Sequence, residues 1–298
     1  MNELPQQLAN GLILGAMYGL IAIGYTMVYG IVQLINFAHG EIFMVGGFGA
    51  LTVWLVLPEG FGLGAAVPLM IIGGVLVSVA VGTAAERFAY RPLRSAPRLA
   101  PLITAIGLSI VLQQAVWMWY PDAKKDHPFP QFHGGPVEIL GANIQRGDLF
   151  VLIAAPLCML ALGFFVTKTR SGRGMQATAQ DPDTAKLMGI NTDRIIVMAF
   201  AIGAAFAAVA AVAFGLKNGQ IGFRMGFIMG LKAFTAAVLG GIVLGVAESL
   251  ATGYIGDIPG MDLFGGGAWK DVWAFALLIL VLLFRPQGLL GERVADRA

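Results

Sequence analysis

Residues 4–40, LPQQLANGLILGAMYGLIAIGYTMVYGIVQLINFAHG, contain no Asp, Glu, Lys or Arg. A helix needs about 20 mostly apolar residues to cross a hydrocarbon layer of ~30 Å. This run meets that length with residues to spare, and it is too long for the apolar core of a signal peptide. The MNELPQQL start also lacks a basic leader region, so the stretch reads as a retained membrane span. Similar charge-free runs follow at 42–58 (slightly short), 60–85, 99–121, 149–167 and 195–216. A further apolar region at about 227–256 is broken by Lys232 and Glu248, and the last run lies at about 268–284.

Composition agrees with the pattern. The 298 residues are 57% hydrophobic and only 12% charged, with a mean hydropathy of +0.78. Soluble domains carry about 25% charged residues, so a surface this poor in charge must face something apolar. A net charge of +2 leaves no electrostatic footprint for nucleic acid. The single cysteine, Cys158, excludes an intramolecular disulfide. The expected architecture is all-α: a polytopic integral membrane bundle of about eight transmembrane helices (seven to nine), forming one domain over residues 1–298.

Sidedness follows from Lys and Arg. Segments 86–98 and 168–194 and the tail with Arg285, Arg293 and Arg297 hold most of the 19 basic residues. All three are expected in the cytoplasm. The N-terminus and the Pro-rich loop at about 121–148, with His127 and His133, are then outside. Those two histidines read as solvated rather than as metal ligands. Parity conflicts with this scheme after residue 217, because a cytoplasmic tail requires an odd number of further crossings. Residues 227–256 are too few for two full crossings. Short broken helices lining a cavity would reconcile the count, and Gly226, Gly230, Gly240, Gly241 and Gly245 are placed to make the breaks. Lys232, near the edge of this region, reads as a side chain that snorkels to an interface.

Small residues mark close helix packing. Gly11, Gly15 and Gly19 recur at four-residue spacing in the first span, and alanines crowd 201–213. These residues are expected to be scaffold.

The segment 168–195, KTRSGRGMQATAQDPDTAKLMGINTDRI, does not read as a linker. Asp181-Pro182-Asp183 is a helix start, with an N-cap, a proline at the first position and an acid in the first turn. Gly189 is a natural C′ stop, and Asn191, Thr192 and Asp193 offer caps for the next span. The result is a helix of about two turns, too short to be stable alone in water. Leu187 and Met188 supply apolar contact for a partner surface.

DTAKLMG is similar to the coupling-loop motif of ABC importer permeases, with Asp183, Thr184 and Ala185 at its EAA positions and Gly189 at its glycine. Asp and Thr depart from that pattern. The longer GRGMQATAQDPDTAKLMGINTDRII resembles the LivH-type permease family of branched-chain amino acid transporters, as do INFAHGEIFMVGG (35–47), ERFAYRPLRSAPRLAPLITAIGLS (86–109), LKAFTAAVLGG (231–241) and AFALLILVLLFRPQGLLG (274–291). The resemblance spans nearly the whole chain. It implies a multi-pass permease of the bacterial inner membrane, working with two cytoplasmic ATP-binding subunits, a second homologous permease and a periplasmic solute-binding protein. The substrate implied is Leu, Ile, Val or a related amino acid. The loop at about 168–194 would dock on the ATPase through Asp183, Ala185, Leu187, Met188 and Gly189. One departure is that LGG runs directly into IVLGVAES, about ten residues shorter than the family's pattern, in the region where the topology conflict falls.

Asn36, His39 and Glu41 interrupt otherwise apolar sequence. On a continuous helix Asn36 and His39 share a face while Glu41 points elsewhere. Polar groups at membrane depth face the protein interior or a water-filled path. Two readings follow: the trio caps broken helix ends near the cytoplasmic junction of the first two spans, or it lines the translocation route.

No Walker motif occurs, so ATP would be bound by partner subunits and the chain itself holds no cofactor. No HExxH, GxSxG or paired intramembrane aspartates point to an enzyme, and no residues stand out as catalytic or metal-binding. The alternative to an importer subunit is a self-sufficient secondary transporter or channel, which would leave the short capped helix unexplained.

Overall fold

The computed structural model describes residues 4–32, 36–94, 96–97, 99–120, 126–139, 141–255, 258, 261 and 269–284. The tail arginines, Arg285, Arg293 and Arg297, lie outside them. Six helices among the described residues are long and apolar enough to cross a membrane. They are α1 (Leu4–Val32), α2 (His39–Val56), α3 (Leu63–Ala85), α4 (Leu99–Trp119), α5 (Arg146–Lys168) and, after two shorter helices, α8 (Thr192–Asn218). A π turn at Glu86–Tyr90 and a 3-10 turn at Arg91–Leu93 prolong α3. Between α5 and α8 lie α6 (Arg170–Gln180) and α7 (Pro182–Leu187). The chain then continues through α9 (Met225–Leu239), α10 (Gly241–Tyr254) and α11 (Lys270–Phe284). Four short strands form two antiparallel pairs: β1 (His127–Pro128) with β4 (Gln220–Ile221), and β2 (Val137–Ile139) with β3 (Ala142–Ile144). The chain is therefore a polytopic helical membrane protein.

The expected break near 227–256 falls at Gly240, where α9 and α10 meet at 114°. Gly240 has φ +83°, a backbone region open to glycine at little cost. Gln6 of α1 donates to the Asn143 carbonyl of the β2–β3 hairpin and β1 pairs with β4. The start of α1, the 126–144 loop and the segment leading into α9 thus share one side. From Gly240 the chain turns back along α1: Gly241 packs at Gly15 and Gly19, and Gly253 reaches Gln7 near the start of that helix. The pair α9–α10 begins and ends on the same side, as a re-entrant hairpin with no net crossing. Helix α11, at 15 residues, is shorter than a full span.

The core sits where α1, α2, α3, α8 and the hairpin meet. Helices in lipid gain no hydrophobic drive from one another, so small residues that admit close backbone contact decide the packing. Gly24 of α1 faces the Gly203 carbonyl of α8, Gly46 of α2 faces Ala208, and Gly82 of α3 faces Ala204. The glycine ladder of α1 meets α10: a Cβ on Gly11 would stand 2.7 Å from the Val246 Cα, and one on Gly15 2.7 Å from the Ile242 Cα. Gly19 differs, since a Cβ there would meet nothing within 4 Å. At the periphery, α4 and α5 are only 17% and 11% buried within the chain, against 67% for α2.

Helix α6 was not expected. Its sequence, RSGRGMQATAQ, carries two glycines and no strong apolar run. Thr169 caps it by accepting from the Gly172 backbone N–H at 2.9 Å, and its buried face is Gly172, Gly174, Met175 and Thr178. It lies against α5 and α8 as an amphipathic helix at the membrane edge.

Candidate functional site

The trio Asn36, His39 and Glu41 is buried, but it is not one helical face. Helix α2 begins at His39, so Asn36 lies in the preceding turn. Its Oδ1 accepts from the Ala38 backbone N–H at 3.1 Å and from the Tyr90 hydroxyl at 2.6 Å. Its own carbonyl accepts from the His39 N–H at 3.1 Å. Asn36 therefore ties the start of α2 to the π turn after α3. The reason for the difference is local: the Asn side chain offers the backbone a turn in place of a helix.

His39 is 1% exposed and packs into the gap left by Gly24, edge-on to Tyr25. Gly24 is eight residues short of the end of α1, about 12 Å at 1.5 Å per residue. The start of α2 is thus deeper than the junction of the first two spans. Glu41 points away, to α4. Its Oε1 accepts from Ser109 Oγ at 2.9 Å and from Gln113 Nε2 at 2.7 Å. Its Oε2 is buried, has no hydrogen-bond partner among the described residues, and lies against Gly226 at the start of α9.

Beside Glu41 runs a cavity of ≈ 610 Å³ whose wall includes Phe37, Ser109, Gln113, Arg224 and Leu231. Arg224 and Ile228 also line a second cavity of ≈ 900 Å³, which has Trp117, Asp126 and Asn218 on its wall. The two form one groove along α4 and α9, starting from the side that carries the 126–144 loop. Sequence reasoning missed Ser109, Gln113 and Arg224. The first two are polar residues four apart in a charge-free run, a signal that was present; Arg224 is a lone base between two apolar runs.

Lys232 does not snorkel; it is 2% exposed. Its Nζ meets Glu248 Oε1 at 2.8 Å, Asp271 Oδ1 at 2.6 Å and the Tyr18 hydroxyl at 3.0 Å. Tyr18 also donates to Glu248 at 3.1 Å. This network joins α9, α10, α1 and α11, and it replaces the water that an interface would have provided. His127 is likewise not solvated on its ring face, which packs edge-on against Phe48 and Tyr120.

On the opposite side stands α7. Asp181 is its N-cap, and Oδ1 accepts from the Asp183 and Thr184 N–H groups at 3.0 and 3.1 Å. Gly189, at φ +83°, ends it. The Gly189 N–H donates to Lys186 O and the Ile190 N–H to Ala185 O, both at 3.0 Å, the two bonds of a Schellman close. Asn191 caps α8, accepting from the Arg194 N–H at 3.0 Å. Leu187 and Met188 are 87% and 78% exposed, whereas Ala185 is buried beneath the helix. Of the five residues expected to dock, Asp183, Leu187 and Met188 are presented outward, Gly189 shapes the turn and Ala185 packs inward. Nearby, Asp193 accepts from Arg91 and Arg94, each at 2.5 Å, and Arg94 also pairs with buried Glu86. These bonds lock the turn after α3 onto the start of α8.

Comparison with known proteins places this geometry in context. A family model for the permease component of branched-chain amino acid transport systems matches residues 7–282. The high-affinity branched-chain amino acid transport system permease protein BraD of Pseudomonas aeruginosa is 46% identical, over 98% of this chain and 97% of its own length. The corresponding LivH proteins of Salmonella typhimurium and Escherichia coli K12 are 44% and 43% identical with the same coverage.

Proposed function

The chain belongs to the family of permease components of branched-chain amino acid transport systems, and from that premise we propose that it is the transmembrane permease subunit of an ATP-driven importer for Leu, Ile, Val or related amino acids. The observation that carries the ATP-driven reading is α7. A two-turn helix capped at both ends presents Leu187 and Met188 bare at the end of the bundle that holds Arg91 and Arg94. Exposed apolar side chains on a rigid, short helix are what a helix-in-groove contact requires. A partner ATPase that closes on this helix moves α6 and α8, which carry it, and through α8 the centre of the bundle. Movement of a whole helix pair around a fixed site is how alternating access is transmitted.

In this reading two ATP-binding subunits sit on the cytoplasmic face, and a second homologous permease covers the poorly buried flank of this chain. A periplasmic binding protein delivers solute to the groove above Arg224. The chain resides in the bacterial inner membrane and performs no bond chemistry of its own; hydrolysis belongs to the ATPases. The experiment is co-purification of a C-terminally tagged chain from gently solubilised membranes, followed by reconstitution. An ATPase pair and a second permease, with ATP-dependent leucine uptake, are expected. A chain that purifies alone and moves solute without ATP would mean a self-sufficient transporter instead.

A further inference from the structure

Arg224 on the groove and Glu41 behind its Ser109–Gln113 wall have no ion-pair partner among the described residues. Arg224 forms no ion pair among the described residues; its guanidinium is 5.3 Å from the Phe223 ring centroid. Asp126 lines the same outer cavity without an ion pair among those residues. Glu41 is fully buried, and one of its two oxygens is unsatisfied. A buried carboxylate left without a counter-charge is costly, and Glu41 has no ion-pair partner among the described residues. Glu41 Oε2 abuts Gly226, two residues after Arg224 on the same helix start. Between them the wall is apolar: Ile106, Ile110, Phe227 and Leu231. The cavity's ≈ 610 Å³ falls within the roughly 300–1,000 Å³ of small-molecule sites.

We propose that this cavity is the solute site of the permease, with Arg224 receiving the α-carboxylate, Ser109 and the carbonyl oxygen of Gln113, both side chains hydrogen-bonded to the Glu41 carboxylate behind the wall, receiving the α-ammonium, and Ile106, Ile110, Phe227 and Leu231 packing the aliphatic side chain. The proposal rests on the importer reading and adds its recognition chemistry. The planar guanidinium pairs with a carboxylate through two parallel N–H···O bonds. Glu41 Oε1 holds Ser109 Oγ and Gln113 Nε2 from behind, which fixes these two side chains on the cavity wall. A zwitterion matches Arg224 and the Ser109–Gln113 wall at once. A hydrocarbon lacking either charge leaves Arg224 or the Ser109–Gln113 wall unmatched, and a site built on polar pairing rejects such an analogue strongly.

The test uses the full complex in proteoliposomes, with leucine as the probe. In a Cys158→Ser background, Ile110→Cys gives one thiol on the cavity wall. Leucine is expected to slow its modification by a thiol reagent by at least about tenfold, the factor that ~1.4 kcal/mol produces. Neither 4-methylpentanoate, which lacks the ammonium, nor isoamylamine, which lacks the carboxylate, is expected to protect. Arg224→Gln should abolish protection and uptake while the complex still co-purifies intact, and Arg224→Lys should restore part of both. Because Arg224 is an exposed side chain, this pair remains informative if Glu41→Gln fails to assemble. Equal leucine uptake by wild type and Arg224→Gln, or equal protection by the two singly charged analogues, overturns the proposal and leaves the importer reading standing. A wild-type complex that hydrolyses ATP but imports no amino acid overturns both.

Discussion

Lys232 and Glu248 lie on opposite arms of the 114° bend at Gly240, and their side chains meet at 2.8 Å in the interior. Tyr18 of α1 and Asp271 of α11 complete the contact. The hairpin is thus fastened by charge at a depth where apolar packing alone discriminates poorly between arrangements. Removing one member of a buried pair leaves the other uncompensated, at a cost of about 3–5 kcal/mol. Lys232→Met should therefore lower the thermal unfolding midpoint of the detergent-solubilised protein sharply. The double variant Lys232→Met with Glu248→Leu should recover much of the loss. A single variant as stable as the parent would mean that the network contributes nothing to holding the hairpin.

Gly189 tests the coupling helix. A Cβ there meets no atom within 4 Å, yet the residue sits at φ +83°. The obstacle to substitution is backbone conformation alone, worth about 1–2 kcal/mol. Gly189→Val should leave membrane insertion intact and uncouple leucine uptake from ATP hydrolysis. Asn is tolerated at this kind of position, so Gly189→Asn should retain most of the uptake. Full ATP-dependent uptake by the valine variant would count against the coupling role of α7.

How much of this was readable beforehand depends on the range of the interaction. The six spans were legible because charges punctuate them, and α7 because its caps lie within a few residues of its ends. The break at Gly240 was legible as a conflict in the crossing count, though not as a re-entrant hairpin. What escaped depends on contacts distant in sequence. Lys232 finds Tyr18 across 214 residues, and Glu41 finds Ser109 across 68. Asn36 sits in a turn that its own side chain makes locally, and Tyr90, 54 residues away, gives that side chain a second partner. Helix α6 lacks a strong local signal because tertiary packing of four small or flexible residues stabilises it.

Leu187 and Met188 make a cleaner test of docking than Gly189, since both are already exposed to solvent. Changing both to Asp should not alter the permease's own melting temperature. It should reduce recovery of the ATPase on a tagged permease by at least about tenfold, equivalent to ~1.4 kcal/mol. Undiminished recovery would place the ATPase contact elsewhere on the cytoplasmic face.

The glycine ladder of α1 separates close packing from mere helix composition. A methyl on Gly15 meets the Ile242 Cα at 2.7 Å and the Gly241 carbonyl oxygen at 2.8 Å, and backbone cannot rotate aside as a side chain can. Gly15→Ala must push α10 away from α1 and should cost about 1–3 kcal/mol, the usual price of overpacking. Gly19 lies in the same row, but its methyl would enter open space. Gly19→Ala should be neutral, or stabilising by up to about 1 kcal/mol through reduced freedom of the unfolded chain. Thermal unfolding of the two variants side by side decides the matter. If both destabilise equally, helix spacing rather than contact with α10 explains the ladder, and the hairpin is not seated against α1 at these positions.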